Sequence, residues 1–266
     1  MSDHTVGRGV FRRHLHRLRD YGLRLDGRPL SDWGLMLVSP PVVEPVEWRT
    51  SRVEVPGRAG GVDMSLLDAM GRPVPADREC TLTVAVFGDT SECIESRCAL
   101  MRLDGMDVTL GWRDWPGIGH GTLAVGRWEE QRDRLGRLAW ASVDLTVRLD
   151  PYLTGEPSTF EATVSGVDVL VHTDAPVRPT ITTTPPAGTR RLYLTIGSAQ
   201  LVYDFDPAAS GSRTLLVDCG MGSALWGGTP ILPSLDSDYP TLVDGVNHAE
   251  ISAGSMRVDY TPLALI

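Results

Sequence analysis

Along most of the chain apolar residues alternate with polar ones, which is the period of a half-buried strand. The alternation begins at Leu23 and Leu25, passes through a Leu25-Asp26-Gly27-Arg28 turn and resumes over 30–38, where it predicts a strand. A second extended segment, 52–55, leads into Pro56-Gly57-Arg58-Ala59-Gly60-Gly61, whose glycines permit the positive φ of a tight turn between strands or of an exposed loop. Leu82, Val84 and Val86 share one face of a strand over 80–87. Asp89, Thr90 and Ser91 then offer helix caps. Ile94, Cys98 and Met101 follow at i, i+4 and i+7, so 91–103 is expected to be one amphipathic helix with that stripe as its apolar side.

Beyond the helix, 108–112, 121–128 and 137–149 read as strands, joined by a Pro-Gly-rich loop and by a polar turn over 129–136. In the last strand Ala139, Ala141, Val143, Leu145, Val147 and Leu149 fall on one face, which predicts an antiparallel strand with one wet side, stopped by Pro151. Residues 155–157 read as a linker. The segments 180–184, 191–196, 200–205, 213–218, 242–246, 249–252 and 256–260 then form short strands set apart by Gly, Pro, Asp and Asn, the sequence form of a β-sandwich. The expected organisation is a basic N-terminal extension (1–21), a β domain with one helix (22–154) and a second sandwich (155–266). In the extension Arg8, Arg12, Arg13, Arg17 and Arg19 interleave with Phe11, Leu15 and Leu18 at helical spacing. It reads either as an arm that docks on an acidic partner or as a solvated extension.

Composition narrows the function. With 42% apolar and 22% charged residues the chain is a folded globular protein. No apolar run approaches the roughly 18–20 residues that span a bilayer, and the N-terminus lacks the order of a signal peptide, so no membrane association is expected. A formal charge of −9 argues against a dominant nucleic-acid-binding role, which needs a basic surface. All 25 basic residues are Arg and none is Lys, a bias that reads mainly as the mark of a GC-rich genome. Cys80, Cys93, Cys98 and Cys219 are too irregularly spaced for a structural zinc site and are expected to be reduced thiols in a protein assembled in the cytoplasm.

The order of these elements carries a resemblance. Leu25-Asp-Gly-Arg-Pro-Leu-Ser31-Asp32-Trp33-Gly34-Leu35 is followed by Val53-Glu-Val55-Pro56-Gly57-Arg58-Ala-Gly60-Gly61, then by a strand, the helix, a long hairpin and a strand ending Arg148-Leu149-Asp150-Pro151-Tyr152. Together these resemble the distal tail protein (Dit) family of siphophages. In the second half Ala175-Pro176-Val177-Arg178-Pro179-Thr-Ile181 resembles the opening of that family's galectin-like sandwich, Leu216-Val217-Asp218-Cys219 the strand before its central turn, and Leu242-Val243-Asp244-Gly245-Val246-Asn247-His248 its Leu-x-x-Gly-x-Asn loop. The likeness covers about residues 23–263, and the extension before it is not part of the family's pattern.

The resemblance implies a structural virion protein of a long-tailed bacteriophage, mainly β, with a ring-forming N-terminal β-sandwich-like domain and a galectin-like β-sandwich. It implies a homo-hexameric ring at the tail tip or baseplate. The ring would contact the tail-tube protein on one side and the tail hub or tail-associated protein on the other. The tape-measure protein would lie in its channel, with DNA only as passing cargo. Some relatives hold receptor-binding proteins on a long arm in the second sandwich. The turns between Thr180 and Tyr260 are too short for such an arm, so receptor-binding proteins are partners only by another mode.

Sites for chemistry are few. His14 and His16 point to different faces of a helix, and His4, His120, His172 and His248 stand alone, so neither a metal nor a cofactor is expected. Gly117-Ile-Gly119-His-Gly121 resembles a phosphate-cradling loop but opens no helix, and reads as a hairpin turn. Glu129, Glu130 and Asp133 cluster as a solvated tip rather than a glycosidase pair. No catalytic residues are expected. The rival reading is a carbohydrate-binding module for host-surface adhesion, with Trp226, Tyr239 and Tyr203 as stacking platforms. Against it, 220–233 reads equally as a loop whose Trp226 plugs a gap.

Overall fold

The computed structural model describes residues 22–57, 59–68, 71–87, 90–206 and 213–265. The basic extension 1–21 lies outside them. The protein is mainly β, and its chain divides between Leu153 and Thr154 into two compact units, the first without residues 68–71.

In the first unit one antiparallel sheet runs β2 (Arg28–Pro29), β1 (Arg24–Leu25), β8 (Asp107–Gly111), β9 (Ile118–Val125), β11 (Leu138–Leu149), β7 (Arg78–Phe87), β3 (Leu35–Leu37). Among the strands off this path, β4 (Val42–Val43) pairs with β7 and β10 (Glu129–Arg132) with β11. Asp26 and Gly27 turn β1 into β2 with φ of 51° and 71°, so the Asp-Gly pair makes the two-residue hairpin that its residue types favour. Strand β11 is the spine. It pairs with β7 over ten residues, Trp140↔Phe87 to Leu149↔Arg78, and with β9 from Leu145↔Val125 to Leu149↔Gly121. Its inward residues Ala141, Val143, Leu145, Val147 and Leu149 are buried together with Leu82, Val84, Leu110 and Leu123.

Several expectations are corrected here. Ala139 does not share that face. The register slips between Gln131 and Arg132, so Gln131 faces Trp140 while Arg132 faces Leu138; Ala139 is the extra residue of a bulge, and Leu138 enters the core in its place. The 129–136 segment is not all turn, because Glu129–Arg132 forms β10 and the turn is confined to the residues after it. Gly117 to Gly121 is not a hairpin turn either, since Gly119 and Gly121 lie within β9. The first part of the 30–38 strand is a short 3-10 turn, Leu30–Trp33, ended by Gly34 at φ 70°.

The helix α1 (Thr90–Met101) is present, but it is turned the other way. Cys93 and Leu100 are its buried residues, against β7 and β11, while Ile94, Cys98 and Met101 face solvent. The stripe that helical spacing assigns to the core is an exposed one.

Short strand β12 (Leu153–Thr154) leads to the second unit, a sandwich of two antiparallel sheets. One runs β13 (Ser158–Thr163), β22 (Ser255–Tyr260), β15 (Thr180–Thr183), β18 (Leu215–Asp218), β19 (Ser223–Trp226), β20 (Thr229–Pro230); the other runs β14 (Val167–Val171), β21 (Gly245–Ile251), β16 (Arg191–Ile196), β17 (Ala199–Asp204). Ala162, Ile181, Val217 and Val258 from the first meet Leu192, Leu194, Leu201 and Ile251 from the second in one core. Residues 242–252, expected as two strands, contain the single strand β21. The Leu-x-x-Gly-x-Asn stretch starts it through Asn247, whose buried amide accepts the Val243 N–H (3.0 Å) and donates to the Val243 and Gly245 carbonyls (2.8 and 3.1 Å). The outer edge of β17 is covered by the loop after β20: Ser234 and Asp238 donate backbone N–H groups to the Val202 and Gln200 carbonyls, and Ser237 Oγ accepts the Val202 N–H.

Three of the four cysteines are buried and none is in a disulfide. Burial pushes the Cys80 and Cys219 thiols up to about 12. Since the thiolate is the reactive form, a thiol-specific reagent at neutral pH is expected to modify Cys98 alone in the folded protein and all four in denaturant. Fast labelling of a second thiol without denaturant would show that one of these cores opens readily.

Candidate assembly surface

The feature that stands out in the first unit is a stretch with defined backbone and no interior. Between Glu44 and Leu67 no described residue is buried. The order there is supplied by the main chain. Strands β5 (Arg52–Val53) and β6 (Val62–Asp63) pair, Arg49 N–H bonds the Val74 carbonyl (2.8 Å), and Val74 N–H bonds that of Leu66 (3.0 Å). Asp63 accepts the Ser65 backbone N–H and hydroxyl, and these bonds hold its carboxyl below the usual range. On this scaffold Trp48, Val53, Val55, Met64, Leu66 and Leu67 all stand in solvent, Met64 at 64% of its surface.

Six large apolar side chains are thus exposed within residues 48–67. Each would contribute roughly 1.5–3 kcal/mol if fully covered. Exposed apolar side chains concentrated in one segment make that segment a candidate surface for another protein. The α1 stripe is a second such area. Ile94 is 49% and Met101 48% exposed, and Cys98 lies between them. Arg97 is drawn away from it: its guanidinium bonds Glu130 at 2.6 Å and lies 4.9 Å from the centre of the Trp128 ring. Glu130, also bridged by Arg132 at 2.7 Å, is held below the ordinary carboxylate range by the two arginines.

The candidate glycan platforms are placed differently from a binding surface. Tyr203 is fully buried and Trp226 nearly so. Their rings flank Phe205, with centroids 6.3 Å and 4.4 Å away, inside the second sandwich. Burial, with Tyr239 beside it, pushes the Tyr203 phenol above its ordinary value. Tyr239 is half-buried against that core. The structure thus brings Tyr203 and Trp226 into one aromatic cluster, with no open face on either ring for a sugar. Strand β19 crosses the segment expected as loop, and sets Trp226 inward.

Two clefts are lined by charged residues. One of about 440 Å³ in the second unit is lined by Arg178, Arg257, Asp259 and Tyr260 among others, with Arg257 spent on Asp259 at 2.9 Å. One of about 560 Å³ in the first is lined by Asp26, Asp77, Asp107, His120, Arg148 and Asp150. Its carboxylates do structural work: Asp26 accepts the Thr109 N–H, Asp107 the Thr122 hydroxyl, and Asp77 pairs with Arg148. Among the described residues no group of three His, Cys, Asp or Glu is placed to hold a metal, and no helix is long and apolar enough to cross a membrane.

No protein-family model and no curated protein sequence matches this chain. Among solved structures it is similar to the SPP1 Dit (gp 19.1) protein, described as a paradigm of the hub adsorption apparatus in phages that infect Gram-positive bacteria. The identity is 20% and the TM-score 0.61, over 92% of this chain and 99% of that one. The chain has the Dit fold. Two structures of the phage P2 baseplate in its activated conformation, with Ca and with Sr, share 8% and 9% identity at TM-scores of 0.42 and 0.40, over 88% and 87% of this chain and 92% of theirs. Both units of the present chain fall within the match to the SPP1 Dit fold, whose share of that protein leaves almost nothing unpaired.

Proposed function

We propose that this protein is a structural component of the tail of a long-tailed bacteriophage. In this reading its first unit self-associates into a ring, of six copies, between the tail tube and the tail hub or baseplate. The observation that carries the reading is the end-to-end likeness to the SPP1 Dit fold, in which one match runs through both units. The apolar hairpin supports it independently, since a chain that leaves six large apolar side chains outside its own core is built to be covered. Within the virion the ring would meet the tail-tube protein, the hub or tail-associated protein and the tape-measure protein, and DNA would pass through its channel. A net charge of −9 suits a channel that must not retain DNA.

Light scattering of the purified chain over a range of concentration and salt, with negative-stain imaging, tests this. Growth toward a closed particle with a central opening supports the reading. A species that stays monomeric at every concentration overturns it.

A further inference from the structure

The β17 sheet of the second sandwich is capped at one edge and bare at the other. At β17 the loop after β20 takes up the outward main-chain groups of Gln200 and Val202. The opposite edge is β14. There the Gly197 N–H bonds the His248 carbonyl, so His248 turns its main chain away from β14; Asp168, which faces His248, and Leu170, two residues on, therefore turn theirs outward. Among the described residues nothing bonds these outward N–H and C=O groups. Beside them the cross-strand neighbours Leu170 and Val246 are 59% and 68% exposed.

We infer that β14 of one copy pairs antiparallel with β14 of a second copy, across a two-fold axis at Leu170. A row of free N–H and C=O groups is the template for an added strand, and this edge is complementary to itself. Asp168-Val169-Leu170-Val171-His172 sets two valines about a central leucine, with an acid at one end and an imidazole at the other. Turned against its own copy about Leu170, it places leucine opposite leucine, Val169 opposite Val171 and Asp168 opposite exposed His172, each of the last two pairs twice. On the solvent face the two leucines then lie between the two Val246 side chains, and four exposed apolar groups become one contiguous row. The two Asp168 carboxylates are four residues apart along the strands, about 13 Å. Asp168 already bonds His248 of its own copy at 2.7 Å, with Glu250 beyond it, and the acids at the His172 end, Asp174 and Asp244, accept the Leu265 and Thr173 N–H groups. Main chain and apolar match therefore set the register, and the acid–imidazole pairs add to it. Such a contact closes after two copies and is separate from the ring reading, which belongs to the first unit.

The test uses the full chain with Cys98→Ser, so that Val246→Cys supplies its exposed thiol, labelled with a nitroxide. Across the two-fold axis the labelled positions are three strand spacings apart, about 14 Å. The expected result is dipolar broadening of the spectrum that grows with protein concentration and fades on mixing with unlabelled chain. Leu170→Pro removes an outward N–H and leaves the ladder to β21 intact, and is expected to abolish the broadening. His172→Asp sets acid against acid twice and is expected to weaken the association about tenfold. Circular dichroism checks that each variant is folded; should Leu170→Pro not fold, His172→Asp carries the test. No broadening at any concentration, or broadening that folded variants leave unchanged, overturns the pairing. Neither result bears on the ring reading, which the light scattering decides.

Discussion

Gly121→Ala is expected to destabilise the first unit by about 3 kcal/mol, at the upper end of what overpacking costs. The reason is backbone, not side chain. A Cβ at Gly121 would run into the Arg148 carbonyl and lie 2.9 Å from the Leu149 Cα. Neither group has room to retreat, because β11 is held on its far side by the ten-residue ladder to β7. About 3 kcal/mol is a large share of the roughly 5–15 kcal/mol by which domains are stable. Urea unfolding followed by tryptophan fluorescence measures it, since Trp33, Trp48, Trp112, Trp115, Trp128 and Trp140 lie in the first unit and Trp226 alone in the second. Gly111→Ala is the control, its new methyl meeting nothing nearer than 3.9 Å. A Gly121→Ala chain with the midpoint of the control would mean that β9 and β11 do not approach as closely as described.

In the second unit the largest loss is expected from Tyr203→Ala. The ring is fully buried and stacked on Phe205, which in turn packs on Trp226, so truncation leaves a cavity beside the Phe205 ring. Large-to-small changes of aromatic core residues cost roughly 3–5 kcal/mol. The transition to follow is that of the second unit, through near-ultraviolet circular dichroism or a chain in which Trp226 is the sole remaining tryptophan. Tyr203→Phe keeps the ring and is expected to cost far less. Had Tyr203 been a sugar platform, its removal would change glycan affinity and leave stability alone; that outcome would return it to the surface.

Much of the architecture is legible in the sequence because alternation is a direct record of which face meets a core. Leu82, Val84 and Val86, or Val143, Leu145 and Val147, can be read off without coordinates. The alternation fails where geometry departs from the ideal strand. The bulge that sends Ala139 outward inserts one residue without leaving a mark in residue type. Strands β13, β14 and β19 are missed because their Ser, Thr and Gly neighbours resemble turns. Asn247 misleads in the same way: it signals a turn, yet its amide secures the backbone from which β21 begins.

The surface was harder to read than the core, for one physical reason. An apolar stripe on α1 has the same spacing whether it meets the interior or another molecule, so Ile94, Cys98 and Met101 point inward by sequence and outward in the fold. Residue type likewise made Trp226 and Tyr203 candidates for stacking, while only the packing around Phe205 shows where their faces go. From Pro56 to Gly61 the sequence reads as a turn between strands or as an exposed loop, and nothing in the composition around it distinguishes a covered Met64 from an exposed one.

The second sandwich has a different relation to growth. One sheet ends in β20, two residues long with Pro230, and a proline on an edge has no N–H to offer an incoming strand. The other ends in β17, whose outward carbonyls at Val202 and Gln200 are already taken by the loop after β20. Both of these edges are therefore poor templates for strand addition, and an array of such subunits cannot extend through them into a fibre. A variant that frees the Val202 N–H on the β17 edge, such as Ser237→Gly, would then show its defect as turbidity.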